Sequence, residues 1–170
     1  MFIINQEIVD LTSEKLRNRF GEAILEVETE MDMPVYIVKK EIIVDLLRLL
    51  YDDETLRYRF LTTLCGIHYP DSIQPFGVIY HLHSLENNQR IRIKIFTTLE
   101  DITIPSVTAV FAGANWMERE AYDFYGILFS GHPNLKRILN VDEMDYFPMR
   151  KEYPLEDGTR EDKNDAFFGR

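Results

Sequence analysis

Apolar and polar positions along this chain follow two periods, one near 3.6 and one near 2. Val9, Leu16 and Phe20 recur at near-helical spacing between Asn5, a suitable N-cap, and Gly21, a suitable stop, which predicts a first helix. From Ala23 to Thr29 the period drops to two, with Leu25 and Val27 alternating against Glu26 and Glu28 as in a half-buried strand. Met31 to Pro34 interrupts, and Val35 to Val38 reads as a second short strand. A helix from about Lys40 to Leu50 follows, with Ile42, Ile43, Leu46, Leu47 and Leu50 on one face. Asp52, Asp53 and Glu54 end it, and Arg57 to Cys65 carries the aromatic and β-branched residues of a third strand. The clearest pattern comes next. Phe76 to Leu85 and Arg90 to Phe96 flank the polar turn Glu86-Asn87-Asn88-Gln89, and Ile91, Ile93 and Ile95 alternate with Arg90, Arg92 and Lys94, which predicts a hairpin.

Pro105 to Phe111 fits either a short helix or a turn leading into Gly113. Asn115 with Glu118 three residues later has the form of a capping box, opening a helix that runs to Tyr125 and stops at Gly126. Past Leu139 the composition changes: residues 141–170 hold nine acidic and five basic residues and few aliphatics. That segment buries too little apolar surface to offset its chain entropy, so an extended tail is expected. The expected architecture is α+β, an antiparallel or mixed sheet with helices mainly on one face, as a globular domain over 1–140 and a partner-binding tail over 141–170.

The 170 residues, 45% hydrophobic and 28% charged, suffice for a core. No apolar run approaches the roughly 18–20 residues that span a bilayer. The longest, Ile42 to Leu50, is interrupted by Asp45 and Arg48. The stretch after Met1 lacks a basic region followed by an apolar core, so no signal peptide is expected, and the chain should reach a membrane only through partners. Nineteen basic against 29 acidic residues give a net charge of −10, which disfavours nucleic acid and anionic lipid as direct partners. The one cysteine, Cys65, excludes an internal disulfide and an iron–sulfur cluster held by this chain alone, which needs about four ligands.

Little else suits catalysis. His81 and His83 share one strand face and could chelate a metal, but lack a nearby third ligand; a polar strand face explains them equally. Arg90, Arg92 and Lys94 form a basic stripe, either a solvated face or a seat for an acidic partner. Glycine-rich phosphate loops and nucleophile elbows are absent from the sequence. Cys65 lies among apolar strand residues, where a cysteine is usually a small buried hydrophobe. The densest constellation runs from Asn115 to Gly126. Arg119 and Asp123 stand four apart and can pair, while Met117, Ala121 and Phe124 form an apolar stripe. Glu118, Glu120 and Asp123 could do acid–base work with His132, yet an Arg among them, and Lys136 and Arg137 downstream, favour a salt-bridge network.

This same stretch resembles the C-subunit family of respiratory complex I, the proton-translocating NADH:quinone oxidoreductase. The likeness rests on Glu118-Arg119-Glu120, Asp123-Phe124-Tyr125, His132 and Arg137-Ile138-Leu139. Pro105 to Thr108, Gly113 to Trp116, Tyr122, Gly126-Ile127, Gly131 to Pro133 and Pro148 to Leu155 extend it. His68 departs from the pattern, standing where Asp is expected. The resemblance implies a structural and assembly subunit in the peripheral arm. Catalytic residues, cofactors and metals are not expected in this chain; flavin, iron–sulfur clusters and quinone are expected in partner subunits. The implied partners are the large quinone-site subunit and the small terminal-cluster subunit, on the cytoplasmic face of the cell membrane. Interface and signature residues carried over are Trp116, Glu118, Arg119, Glu120, Tyr122, Asp123, Gly126, His132 and Arg137, with Arg150, Lys151, Tyr153 and Pro154 in the tail. Tyr146, Phe147, Tyr153, Phe167 and Phe168 are expected to anchor that tail along the large partner, with Arg150 and Lys151 pairing with its carboxylates. The equivalent subunit of a ferredoxin-driven or hydrogenase-type membrane complex is an alternative. A free-standing enzyme using the α-helical carboxylates with His132 is a third, and requires an open pocket around them.

Overall fold

Asn5 caps the first helix in the computed structural model, which describes residues 5–30 and 33–153. Its side chain accepts from the Ile8 N–H, and Gly21 ends the helix at a positive φ of 49°, so α1 spans Gln6–Phe20 as its periodicity predicts. β1 (Ile24–Glu30) pairs antiparallel with β2 (Met33–Val38). The register shifts between Ile24 and Glu26, which breaks the strict alternation and leaves Leu25 exposed rather than inward. A single 3-10 turn over Lys40–Ile42 leads into α2 (Ile43–Asp52), whose Ile43, Leu46, Leu47 and Leu50 are fully buried.

The third strand begins later than its composition suggests. Arg57 sits at φ 49° and the Tyr58 N–H returns to the Leu50 carbonyl, so residues 57–59 close off α2 and β3 runs Phe60–His68. The predicted hairpin is present as β4 (Phe76–Ser84) and β5 (Gln89–Thr97). Pro105 to Phe111 resolves into β6 (Thr103–Pro105) and a turn, followed by α3 (Ala114–Tyr125) and β7 (Leu128–Ser130), which pairs parallel with β6.

The main sheet has the order β1-β2-β5-β4-β3; only β2 and β5 are parallel. Tyr36, Ile93, Tyr80 and Leu64 stand side by side across it and share one core with Leu16 of α1 and Leu46, Leu47 and Leu50 of α2. The first two helices therefore cover one sheet face. Each such fully buried aliphatic contributes ~1.5–3 kcal/mol. The next row, Val35, Arg92, His81 and Thr63, faces the other side. α3 lies against the edge strand β3, where Met117 Sδ accepts the Leu64 N–H at 3.2 Å and blunts an otherwise open edge. The fold is thus the expected α+β arrangement with a mixed sheet. Among the described residues no helix is long and apolar enough to cross a membrane.

Candidate functional site

α3 begins two residues earlier than the capping-box pattern implies. Gly113 is its N-cap and makes no side-chain cap bond, and Asn115 lies inside the first turn. Glu118 is instead fully buried, its carboxylate accepting from Ser106 Oγ and the Val107 N–H, each at 2.7 Å. Burial pushes its pKa up to about 7 against the lowering effect of those two bonds. His132 Nε2 stands 4.0 Å from the Glu118 carboxylate. Both His132 ring nitrogens are engaged, Nε2 with the Asn115 carbonyl and Nδ1 with the Asn134 N–H.

One turn on, Arg119 donates to the carbonyls of Lys136 (3.1 Å) and Arg137 (2.9 Å), with its guanidinium 5.3 Å from the Trp116 ring. The four-residue spacing suggested an Arg119–Asp123 pair, but Asp123 pairs with Arg137 at 2.8 Å. Asp123 is fully buried. Its Oδ2 accepts the N–H groups of Ile138, Leu139 and Asn140, and its Oδ1 takes the Arg137 guanidinium and the Asn140 amide. Burial alone would raise its pKa. The Asn140 and Leu139 N–H groups, Arg137 and the Ile138 N–H outweigh it and hold the carboxyl well below its ordinary range.

Arg137 completes the network by donating to the carbonyls of Met144 and Tyr146. Gly126 ends α3 in the left-handed region at φ 74°, and a Cβ there would come within 2.6 Å of the Phe147 ring and the Arg150 guanidinium. That glycine therefore serves both the helix end and the close approach of the following segment.

Residues 144–151 bond back to the body. Met149 N–H reaches the Phe124 carbonyl, and Arg150 Nε the Tyr125 carbonyl. The Arg150 guanidinium, expected to face partner carboxylates, lies between the rings of Phe76 and Phe147, 4.8 and 4.7 Å from their centroids. Phe147, expected to reach a partner, packs instead on Arg137, Arg150 and Tyr122, because Gly126 leaves room for its ring. The Lys151 side chain is exposed while its N–H bonds to His68 Nδ1 at 3.0 Å. Tyr153 lies 5.1 Å from Tyr146, ring to ring. Pro154, Phe167 and Phe168 lie outside the described residues.

Glu120 stands apart from the other carboxylates. It is exposed and lines a cavity of about 240 Å³ between α3 and β3 with Cys65, Met117, Tyr125 and Met149. Cys65 itself is exposed, because it falls on the sheet face away from the core. Arg92 Nε donates to His81 Nε2 at 2.8 Å, so that nitrogen is already engaged. Among the described residues no three His, Cys, Asp or Glu side chains converge as a metal site. Ser106 and Asn140 belong to the network but carry no signal in hydrophobic periodicity. Polar residues beside a buried carboxylate are recognisable only once the chain is folded.

These features define a class: an α+β domain in which three charged residues of one helix, Glu118, Arg119 and Asp123, are buried and bonded within the same chain. The chain belongs to the family of the respiratory-chain NADH dehydrogenase, 30 Kd subunit, matched over residues 36–159. It is 45% identical over 147 residues to the C-subunit of the NADH-quinone oxidoreductase of Citrifermentans bemidjiense, an alignment covering 86% of this chain and 90% of that one. Its fold matches Nqo5, solved as a trypsin-resistant fragment (1-134), with TM-score 0.64 and 27% identity over 75% of this chain and 99% of that chain. A chain of the archaeal membrane-bound sulfane sulfur reductase shares the fold, with TM-score 0.72 at 21% identity over 88% of this chain and 85% of that chain.

Proposed function

We propose that this chain is a non-redox structural subunit in the peripheral arm of a proton-translocating NADH:quinone oxidoreductase. It orders the large quinone-site subunit and the small terminal-cluster subunit, so that electrons from NADH reach quinone over fixed distances. Flavin, iron–sulfur clusters and quinone belong to partner subunits of the complex, and the chain meets the cytoplasmic face of the membrane through its partners. The observation that carries this reading is the fate of the signature charges. Arg119, Asp123 and Arg137 bond to backbone groups of residues 123–146, and Asp123 pairs with Arg137, which fixes shape. A general acid needs a proton acceptor within reach in an open site. Glu118 has the raised pKa such a role asks for, but it is enclosed and its oxygens already accept from Ser106 and Val107.

A related membrane complex with another electron donor is the second reading, and the fold shared with the sulfane sulfur reductase chain favours it to the extent that fold alone can. One purification separates the two. The tagged chain, recovered from native membranes and weighed by native mass spectrometry, should arrive in a hetero-oligomer that reduces quinone with NADH. The isolated chain should bind neither flavin nor iron. Reduction driven by ferredoxin but not NADH favours the second reading, and a solitary particle that turns over substrate sinks both.

A further inference from the structure

Arg119 and Asp123 of α3 act with Arg137 on one segment. Arg119 holds the carbonyls of residues 136 and 137, Asp123 the N–H groups of 138–140, and Arg137 the carbonyls of 144 and 146. With the main chain fixed from inside, the outward directions of its side chains are fixed as well. The outward residues beside the Asp123 anchor are apolar: Leu139 and Val141 are 68% and 63% exposed. Positions 116, 119 and 123 fall on one side of α3, which brings Trp116, 61% exposed, to the same border. The Arg119 guanidinium over its ring ties Trp116 to the group that holds 136 and 137.

Large apolar side chains held rigidly in water add nothing to the stability of the isolated chain. A partner that covers them gains their burial without an ordering cost. Charge narrows what that partner is. Glu120, Asp142, Glu143 and Asp145 are exposed around the apolar three, with Lys136 as the exposed cation among them. A second copy in a two-fold contact would set acid against acid, and an anionic lipid surface would meet the same repulsion. We infer that Trp116, Leu139 and Val141 form a preordered docking surface for a partner protein whose apolar sockets are rimmed by Lys and Arg. This rests on the subunit reading above and names the face through which the body is held. On this view Arg119, Asp123 and Arg137 are positioning residues that the partner does not touch.

Hydroxyl-radical footprinting of the tagged full chain, alone and within the complex it co-purifies with, tests this. In the isolated chain Trp116, Leu139 and Val141 should be oxidised freely, and in the complex about tenfold more slowly. Leu139→Asp should lower recovery of the partner about tenfold at an unchanged unfolding midpoint, and Leu139→Met should restore it. A photo-crosslinker at position 141 should capture a peptide with Lys or Arg among apolar residues. Equal oxidation in both states overturns the surface while leaving the subunit reading intact. Protection already present in the isolated chain, or appearing there only at high concentration, assigns the patch to this chain or a second copy and overturns the partner. A chain that purifies alone defeats the reading beneath both.

Discussion

Glu118 and Asp123 are both fully buried on α3, yet their surroundings drive them in opposite directions. The number of donors decides. Asp123 receives five, one of them a guanidinium, and remains ionised; Glu118 receives two neutral donors, and desolvation wins. Glu118 therefore titrates from an ordinary 4.5 when unfolded to about 7 when folded. Between those values the folded chain keeps a proton that the unfolded chain has lost, so stability falls as pH rises through the window. Gln at this position cannot titrate. The unfolding free energy of the wild type minus that of Glu118→Gln, from urea titrations, should drop by roughly 2–3 kcal/mol across that window. A difference that stays flat would mean that Glu118 is ionised throughout.

At the scale of elements, local pattern and long-range contact part company. α1 and the β4–β5 hairpin were legible because a cap, a stop and an alternating run are all local signals. The start of α3 was not. Asn115 and Glu118 have the spacing of a capping box, but Glu118 finds better donors in Ser106 and Val107, which only the parallel β6–β7 pair brings into reach. Nor could the strand order be read, since β2 meets β5 across more than fifty residues of chain. The network residues Arg119, Asp123 and Arg137 stood out in the sequence, but their bonds to backbone did not. The contact of α3 with β3 was equally hidden. A Cβ at Gly66 would lie 2.5 Å from the Tyr125 ring, and that ring has no flexible end to withdraw. Gly66→Ala should cost about 1–3 kcal/mol in chemical denaturation and enlarge the cavity beside Cys65 by pushing α3 outward, raising thiol reactivity at Cys65. Unchanged stability and reactivity would mean that Tyr125 does not set the spacing.

Across the whole molecule, residues 144–151 act as a strap joining α3 to the far end of β3. Its last fastening is His68, where the family resemblance leads one to expect Asp. The ring stacks on Phe76 at 4.5 Å with an interplanar angle of 3°, and its Nδ1 accepts the Lys151 N–H. An aspartate could accept that N–H at any pH above its own titration, whereas His68 can do so only while Nδ1 is unprotonated. Burial lowers the His68 pKa; Arg150 and Lys151 lower it further, against the pull of Glu152. A histidine with a depressed folded pKa contributes its stability above its ordinary 6.5 and loses it as pH falls through the folded value. The strap should therefore loosen at its Lys151 end in mild acid while the core stays folded, because protonation turns the acceptor into a second donor facing an N–H. Hydrogen exchange at the Lys151 amide, corrected for its intrinsic pH dependence, should accelerate several-fold below that pH. In His68→Phe, which keeps the stack and removes the acceptor, exchange should be fast at every pH. Protection of Lys151 that persists unchanged into acid in the wild type would mean that the strap is held by the Arg150 sandwich between Phe76 and Phe147 and not by the imidazole.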